Sequence, residues 1–382
     1  MRIAYVTETW WPSTDGVVTR LTATVRQLRR WGHDLLIIAP AGGAPEFEGI
    51  PVRSVPNVRV SFIYGGKPWG LPVPRVGRYL DAFRPDVVHA VNPFVVGIAG
   101  VLHASRRGWP LVASYHTNIA QYADFYHLGF TKPAIWAILR ALHNRAQVNL
   151  TPSQAVKADI EAHGIRRVRV WQRGVDVDLF HPRRADPVWR RRVARRPDRP
   201  LVLYVGRLAA EKHIERLRAL FEEGLDVNLV LVGEGPDREH LEWVFRGLPV
   251  AFTGVLHGLD LARAYASADV FVFPSTTETL GLVVLEAMAS GLPVAVAETG
   301  PAHELLDGSG AGFLFDAGNG AALARAVRTL LDPVRRREMG QAARREAEAR
   351  GWAEPTRQLV EVYEEVRRLG AAPAARGAVV GP

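Results

Sequence analysis

The chain has 382 residues, 48% of them apolar and 23% charged, and no cysteine. That length calls for two domains rather than one core, the composition excludes whole-chain disorder, collagen and coiled coil, and the missing thiol excludes disulfides, thiolate metal sites, iron–sulfur clusters and a cysteine nucleophile. Of the 48 basic residues, which outweigh the acidic ones by nine, only Lys67, Lys132, Lys157 and Lys212 are lysines; such a balance fits nucleic acid, an anionic membrane or phosphorylated ligands, or a mere compositional habit.

The N-terminus enters a strand at once, with no basic segment leading into an apolar one, and no apolar run approaches the ~20 residues of a membrane span. The expected location is cytoplasmic, peripheral to a membrane at most. In chain order, strands are predicted over Ile3–Glu8, Asp34–Pro40, Asp86–Ala90, Leu111–Tyr115, Val148–Thr151 and Val168–Trp171, and helices over Val17–Trp31, Val73–Phe83, Pro133–Arg145 and Ser153–His163. Leu21, Val25, Leu28 and Trp31 fall on one face of the first helix, and Gly32 stops it.

Pro182–Pro200 holds eight arginines and four prolines, the composition of a linker or a solvated interdomain helix. The alternation then restarts with strands at Leu201–Gly206, Asn228–Gly233, Val250–Thr253, Asp269–Phe273 and Pro293–Ala297, and helices at Leu282–Ser290 and Ala321–Leu331. Two doubly wound α/β domains result. The Ala/Gly/Pro-rich stretch 370–382 reads as a disordered tail.

Ligands of open parallel sheets bind beyond the carboxyl ends of the strands, so the loops there carry the argument. Arg207 and Lys212 straddle a small-residue turn after Gly206, placed to close on a diphosphate from two sides. Gly233 and Gly235 allow close backbone approach, and Gly254-Val255 offers an edge for a flat base. The run Glu278-Thr279-Leu280-Gly281 opens a helix at Leu282, whose free N–H groups and dipole favour an anion. Glu278 and Glu286, eight residues apart, can face one cleft and accept vicinal hydroxyls. Singly, each feature has a bland reading as a turn, a cap or a surface charge; together they fit a diphosphate with polyol groups at both ends, a nucleotide sugar. Neither a G-x-G-x-x-G nor a Walker loop is present, and no H-E-x-x-H. In the first half, Asp15-Gly16 precedes a helix, and His116 lies at a strand end facing the expected crevice.

These residues resemble the retaining nucleotide-sugar glycosyltransferases of family 4, which have the GT-B fold. The likeness spans residues 1–365 and includes Asp15-Gly16-Val17, Pro85-Asp86-Val87-Val88-His89, Ser114-Tyr115-His116-Thr117, Arg173-Gly174-Val175-Asp176 and Tyr265-Ala266-Ser267-Ala268-Asp269. The stretch from Ser275 to Met288 looks most like the sulfolipid synthases, which move sulfoquinovose from a UDP donor to diacylglycerol; it is also similar to bacterial mannosyl- and glucosyltransferases of diacylglycerol-type lipids. Asn118 departs from the histidine that the sulfolipid synthases tend to carry there, so the sugar stays open.

The resemblance implies an N-terminal acceptor-binding domain over residues 1–175 and a donor-binding domain over 176–351, with a helix at 352–366 crossing back. It implies that Arg207 and Lys212 hold the donor diphosphate, Glu278 the sugar hydroxyls and Glu286 the ribose. Gly16 approaches the phosphate and His116 the sugar beside the reacting carbon. His116, Arg207, Lys212 and Glu278 are then the catalytic set. Asp15, Gly16, Gly206, Gly233, Gly235, Gly254, Val255, Thr279, Leu280, Gly281, Leu282 and Glu286 complete the donor site. No metal and no cofactor beyond the nucleotide sugar are expected. The expected reaction moves a hexose to a lipid acceptor, with a UDP-sugar favoured, GDP-mannose the alternative donor, and an epimerase of like architecture a further reading. Nucleic acid is not an expected partner. Trp69, Arg75 and Arg78 beside the loop Lys67–Pro74, with Arg106, Arg107 and Trp109, are the expected contacts to an anionic membrane.

Overall fold

The computed structural model describes residues 1–13, 15–59, 68–117 and 129–371, and within them two doubly wound sheets. The first has eight strands in the order Val168–Val170, Val148–Thr151, Leu111–Ser114, Val87–Val91, Arg2–Thr7, Asp34–Pro40, Ile50–Val55 and Glu46–Phe47. All neighbours are parallel except the last pair, a short antiparallel hairpin that the sequence reading passed over. The central strand is covered on both faces, which is why it reads as an unbroken apolar run. Ile3 and Tyr5 pack in one core with Leu21, Val25 and Leu28 of the helix Gly16–Arg30. Ala4 and Val6 pack in another, with residues of the helices Arg75–Phe83 and Val96–Arg107.

The second sheet has six strands, all parallel, in the order Val250–Gly254, Asn228–Val232, Leu201–Val205, Val270–Phe273, Val294–Ala297 and Gly312–Phe315. Five of these are the predicted strands with shifted ends. The sixth, only four residues long, was not expected; it opens on a glycine whose added Cβ would stand 1.9 Å from the Val294 carbonyl oxygen. In each sheet the order reverses next to the first strand of that half. The reversals fall between Arg2–Thr7 and Val87–Val91, and between Leu201–Val205 and Val270–Phe273.

Pro182–Pro200 is mostly exposed, as a solvated segment is, but it is docked on the second domain. The helix Pro187–Val193, capped by Asp186, buries Trp189 and sets Arg190 against Asp269 at 2.6 Å and the Ser267 carbonyl at 2.7 Å, all in the second domain. Counting charges misled here, because arginine stems cover apolar surface while their heads pair. The last helix, Ala353–Ala371, lies on the first sheet: Trp171 Nε1 donates to the Pro355 carbonyl at 2.9 Å, and Arg169 pairs with Glu365 at 2.6 Å. Most of the stretch read as a tail, residues 372–382, lies outside the described residues.

Asp269 fastens the second sheet to its surroundings. One carboxylate accepts from Leu201 N–H, Arg190 and Arg336, tying the strand start, the helix Pro187–Val193 and the helix Pro333–Glu348 together. Asp269→Ala should therefore cost about 3 kcal/mol, since two guanidinium groups lose a largely buried partner. A lowered urea midpoint measures this, and a midpoint within error of wild type would contradict it.

Candidate active site

Between the two reversal points lies a cleft of about 500 Å³, a size suited to a small ligand. Gly206, Arg207 and Lys212 line it from the loop after Leu201–Val205, and Glu278, Thr279 and Leu280 from the loop after Val270–Phe273. Asp15, Gly16, His116 and Thr117 face them from the first domain.

Glu278 is the hub. Its Oε2 accepts from Lys212 Nζ at 3.1 Å, and its Oε1 from the backbone N–H of Gly281 at 3.0 Å and of Leu280 at 3.2 Å. Burial pushes this carboxyl up, but Lys212 and the two N–H groups outweigh it and hold the group below its ordinary value. Gly281 sits at φ +61° where the helix Leu282–Ala289 begins, a left-handed turn that an L side chain would strain. Arg207 pairs with buried Glu211 at 3.1 Å. The two expected cations thus stand in one cleft, each already oriented by a carboxylate.

Glu286 projects from the helix Leu282–Ala289 into the same cleft, 8% exposed, accepting from the Tyr265 hydroxyl at 3.0 Å. Burial raises its pKa to about 7, only partly offset by that hydrogen bond. Val255 and Leu282 line the cleft as expected, with Val255 at an exposed edge. Gly233 lines it too; at φ +140° its added Cβ would lie 1.9 Å from the Gly206 carbonyl oxygen, so no other residue lets these two loops meet.

Three expected donor residues are not on the cleft wall. Gly235 faces the Leu208 carbonyl, which an added Cβ would meet at 2.1 Å. Gly254, at φ +76°, forms a bridge with Gly233. Gly281 acts through its N–H on Glu278. Asp15 is on the wall, and its Oδ1 caps the helix Gly16–Arg30 through Val18 N–H at 3.0 Å.

The first domain closes on this loop at several points. Thr279 donates its hydroxyl to the His116 carbonyl. A Cβ on Gly16 would come within 3.2 Å of Leu280 Cδ1, so glycine permits the approach. Buried Arg173 reaches the carbonyls of Leu280 and Pro301 at 3.3–3.4 Å. Glu304 caps the helix Gln154–Ala162 through two N–H groups at 2.8 and 2.6 Å. His116 itself is 2% exposed, with Nε2 against Ser114 Oγ at 2.9 Å. Burial, then Arg20, His89 and His143, hold its imidazole far below the usual range and therefore neutral.

Sequence reasoning missed Glu211, Tyr265 and Arg173 as supports of Arg207, Glu286 and the Leu280 loop. The i, i+4 spacing of Arg207 and Glu211 was the available signal for the first; the others are contacts of high sequence separation. The expected membrane contacts are not a tryptophan-rich surface. Trp69 is half-buried, edge-on to Phe94 at 5.7 Å, and Trp109 likewise against His103. Arg107 pairs with Asp81, while Arg75, Arg78 and Arg106 are exposed. Lys67 and Asn118 lie outside the described residues. No helix among the described residues is long and apolar enough to cross a membrane.

The chain matches the family model Glycosyltransferase Family 4 over residues 14–179 and the model Glycosyl transferases group 1 over residues 186–346. It is 43% identical over 376 residues to a GDP-mannose-dependent alpha-mannosyltransferase of Mycolicibacterium smegmatis, covering 96% of this chain and 98% of that one. It is 37% identical over 355 residues to the sulfoquinovosyl transferase SQD2 of Arabidopsis thaliana, covering 90% and 69%. Among solved structures, Anabaena HepE in complex with UDP superposes with a TM-score of 0.78 at 22% identity, over 96% of this chain and 100% of that one. The fold is that of the GT-B glycosyltransferases.

The raised pKa of Glu286 gives a pH signature. The folded protein holds this proton more tightly than the unfolded chain does, so the stabilisation is complete below pH 4.5, the ordinary value, and is lost as pH rises through about 7. Glu286→Gln keeps the neutral form at every pH. Between pH 4.5 and 8 the variant should lose less stability than wild type, by up to about 3 kcal/mol. Parallel stability–pH curves would count against it.

Proposed function

The chain belongs to the family 4 glycosyltransferases, and from that membership we propose that it moves mannose from GDP-mannose to a lipid acceptor with retention of anomeric configuration. The resemblance read from sequence favoured a UDP-sugar; the 43% identity to a mannosyltransferase shifts the preferred donor to GDP-mannose. The observation that carries the reading is the Glu278 hub, where a carboxylate able to accept sugar hydroxyls sits 3.1 Å from a lysine able to bind a phosphate.

In the proposed reaction the bond between the anomeric carbon and the diphosphate oxygen breaks, and its electron pair leaves with the diphosphate. Arg207 and Lys212 take up that developing charge. The acceptor hydroxyl bonds to the anomeric carbon from the same face, and its proton passes to the leaving diphosphate. No protein base is assigned. We propose a metal-independent reaction, because the two cations supply the positive charge where the diphosphate would lie. Glu286, accepting from vicinal hydroxyls, holds the ribose. His116 contacts the transferred sugar from the opposite domain. Membrane contact at the acceptor stage is part of the proposal, with the exposed Arg75, Arg78 and Arg106 as its basic groups. A second reading, transfer of sulfoquinovose from a UDP donor, is favoured by the 37% identity to the sulfoquinovosyl transferase.

A donor screen with GDP-mannose, UDP-glucose and UDP-sulfoquinovose, each with mixed diacylglycerol and phospholipid acceptors, tests this through nucleoside diphosphate release and product mass. Turnover with GDP-mannose and a product heavier by one hexose is expected. Absence of turnover and of saturable binding for all three donors would falsify the assignment. Arg207→Ala and Glu278→Ala should each lower kcat about 100-fold or more while the melting curve stays near wild type. Full activity in both would remove these residues from the site.

A further inference from the structure

The second domain has another cavity, of about 590 Å³, at the amino ends of its strands. Asp269 and Pro293, which precede the strands Val270–Phe273 and Val294–Ala297, line it, as does Gly291 just beyond the helix Leu282–Ala289. The cleft lies at the carboxyl ends of the same sheet, so the two cavities are separate sites. Nothing in the proposed transfer uses the second one.

One wall of this cavity is the helix Pro333–Glu348, which supplies Arg336, Arg337, Gly340, Gln341, Arg344 and Arg345. Eight residues advance about 12 Å along a helix, so the four arginines form two neighbouring pairs, one toward each end of the wall. Gly340 seats the helix closely, since a Cβ there would stand 2.4 Å from the Gly291 carbonyl oxygen.

The charges lining the cavity are unbalanced: four guanidinium groups against the carboxylate of Asp269. That carboxylate is already shared among Arg336, Arg190 and the Leu201 N–H. Asp332 caps the first turn of the helix, Glu348 takes Arg344, Glu346 takes Arg350, and Glu338 does not line the cavity. Two of the arginines are held in place. Arg336 Nη1 donates to Asp269 at 2.6 Å, and its Nε and Nη2 have no hydrogen-bond partner among the described residues. Arg344 spends Nε on Glu348 and Nη1 on three carbonyls, which leaves Nη2 in the same condition. These spare nitrogens are not sealed from solvent. Arg337 and Arg345 are exposed and make no ion pair among the described residues. Bracing the fold needs Arg336 and Arg344 alone. Arg337 and Arg345 add like charge beside them, a repulsion that a bound anion would remove.

A guanidinium fork donates two parallel hydrogen bonds to one phosphate, and two pairs at opposite ends of a wall suit a ligand with an anionic group at each end. Gln341, between the pairs, can donate to or accept from hydroxyls in the middle. We propose that this cavity binds a free small molecule carrying two or more phosphate groups, held by Arg336, Arg337, Arg344 and Arg345. Arg336 and Arg344 are the fixed contacts, and Arg337 and Arg345 close from the rim. A lipid headgroup fits less well, because the fixed pair is recessed, with side chains 35% and 16% exposed. The proposal does not rest on the proposed function.

The test is calorimetric titration of the full-length protein with tripolyphosphate at low salt. Under the proposed function the cleft also takes such an anion, so binding is compared across variants. Arg337→Ala with Arg345→Ala should weaken binding at the second cavity roughly tenfold or more, while Arg207→Ala with Lys212→Ala should leave that binding unchanged. Arg191→Ala with Arg192→Ala removes the same charge from another exposed place and should bind as wild type does. Unchanged binding in the Arg337/Arg345 variant, or an equal loss in the Arg191/Arg192 variant, would overturn the proposal. A single site in wild type, lost in the Arg337/Arg345 variant and kept in the Arg207/Lys212 variant, would uphold it while counting against the cleft as a diphosphate site. Phosphatidylglycerol vesicles that bind wild type but not the Arg337/Arg345 variant would assign the cavity to a membrane headgroup and overturn the choice of a free ligand.

Discussion

A single carboxylate at the crossing point of two loops organises the cleft. Glu278 is partly withdrawn from water, which alone would favour its neutral form, yet it faces one ammonium and two backbone N–H groups and stays ionised. Those groups come from different parts of the second half: Lys212 from the end of the first strand there, Gly281 and Leu280 from the start of the helix Leu282–Ala289. They meet only because the sheet order reverses between Leu201–Val205 and Val270–Phe273, leaving a gap that no crossover helix covers. Gly281 at positive φ turns the chain sharply enough for its own N–H to reach back to the carboxylate. The fold thus builds a site for an anion and hydroxyls from charges that each hold the others in place.

The same loop is what the first domain touches. Thr279 binds the His116 carbonyl, Arg173 reaches the Leu280 carbonyl, and Leu280 packs near Gly16. Arg173 is nearly buried, and burial lowers its pKa to about 10, the nearby Glu304 and Glu278 opposing that shift. It remains charged at neutral pH. A buried charge of this kind is costly unless its carbonyl and carboxylate partners stay in place. The relative placement of the two domains is therefore coupled to the shape of the Glu278 loop, and a ligand that engages Glu278 also engages the contact between domains.

Much of the fold was legible because parallel strands covered on both faces read as short β-branched runs, and eleven of them stood at the expected places. Arg207, Lys212, Glu278 and Glu286 were legible for a related reason: strand ends locate loops, and loops at strand ends face the ligand. What escaped had no local signature. Tyr265 meets Glu286 across 21 residues and Arg173 meets Leu280 across 107; neither spacing repeats with a helical or strand period. Gly235 is expected at the donor for its close backbone approach and Gly254 as an edge for a flat base, but Gly235 approaches the Leu208 backbone, and Gly254 bridges Gly233 beside the Glu234 side chain. A glycine in sequence reports the need for space, not what fills it. The reading of the arginine-rich stretch fell short in the opposite sense, since Arg190, Arg196 and Arg199 pair with carboxylates and its tryptophan is buried.

That failure bears on the charge of the whole chain. An excess of nine positive charges invites a search for an anionic partner, yet many arginines here are spent inside the protein. Arg344 donates to the carbonyls of Val177, Phe180 and Ala289, Arg20 to those of Trp171 and Gln172, and Arg173 to those of Leu280 and Pro301. A guanidinium can bind several carbonyls at once in a fixed plane, as an ammonium cannot, so arginine serves as a brace at places where the chain crosses between domains. Net charge counts such braces and ligand-binding cations alike. The cleft separates them: Arg207 and Lys212 both line it, and each pairs there with a carboxylate. A carboxylate partner keeps a cation oriented and ionised while leaving some of its donors to face a phosphate.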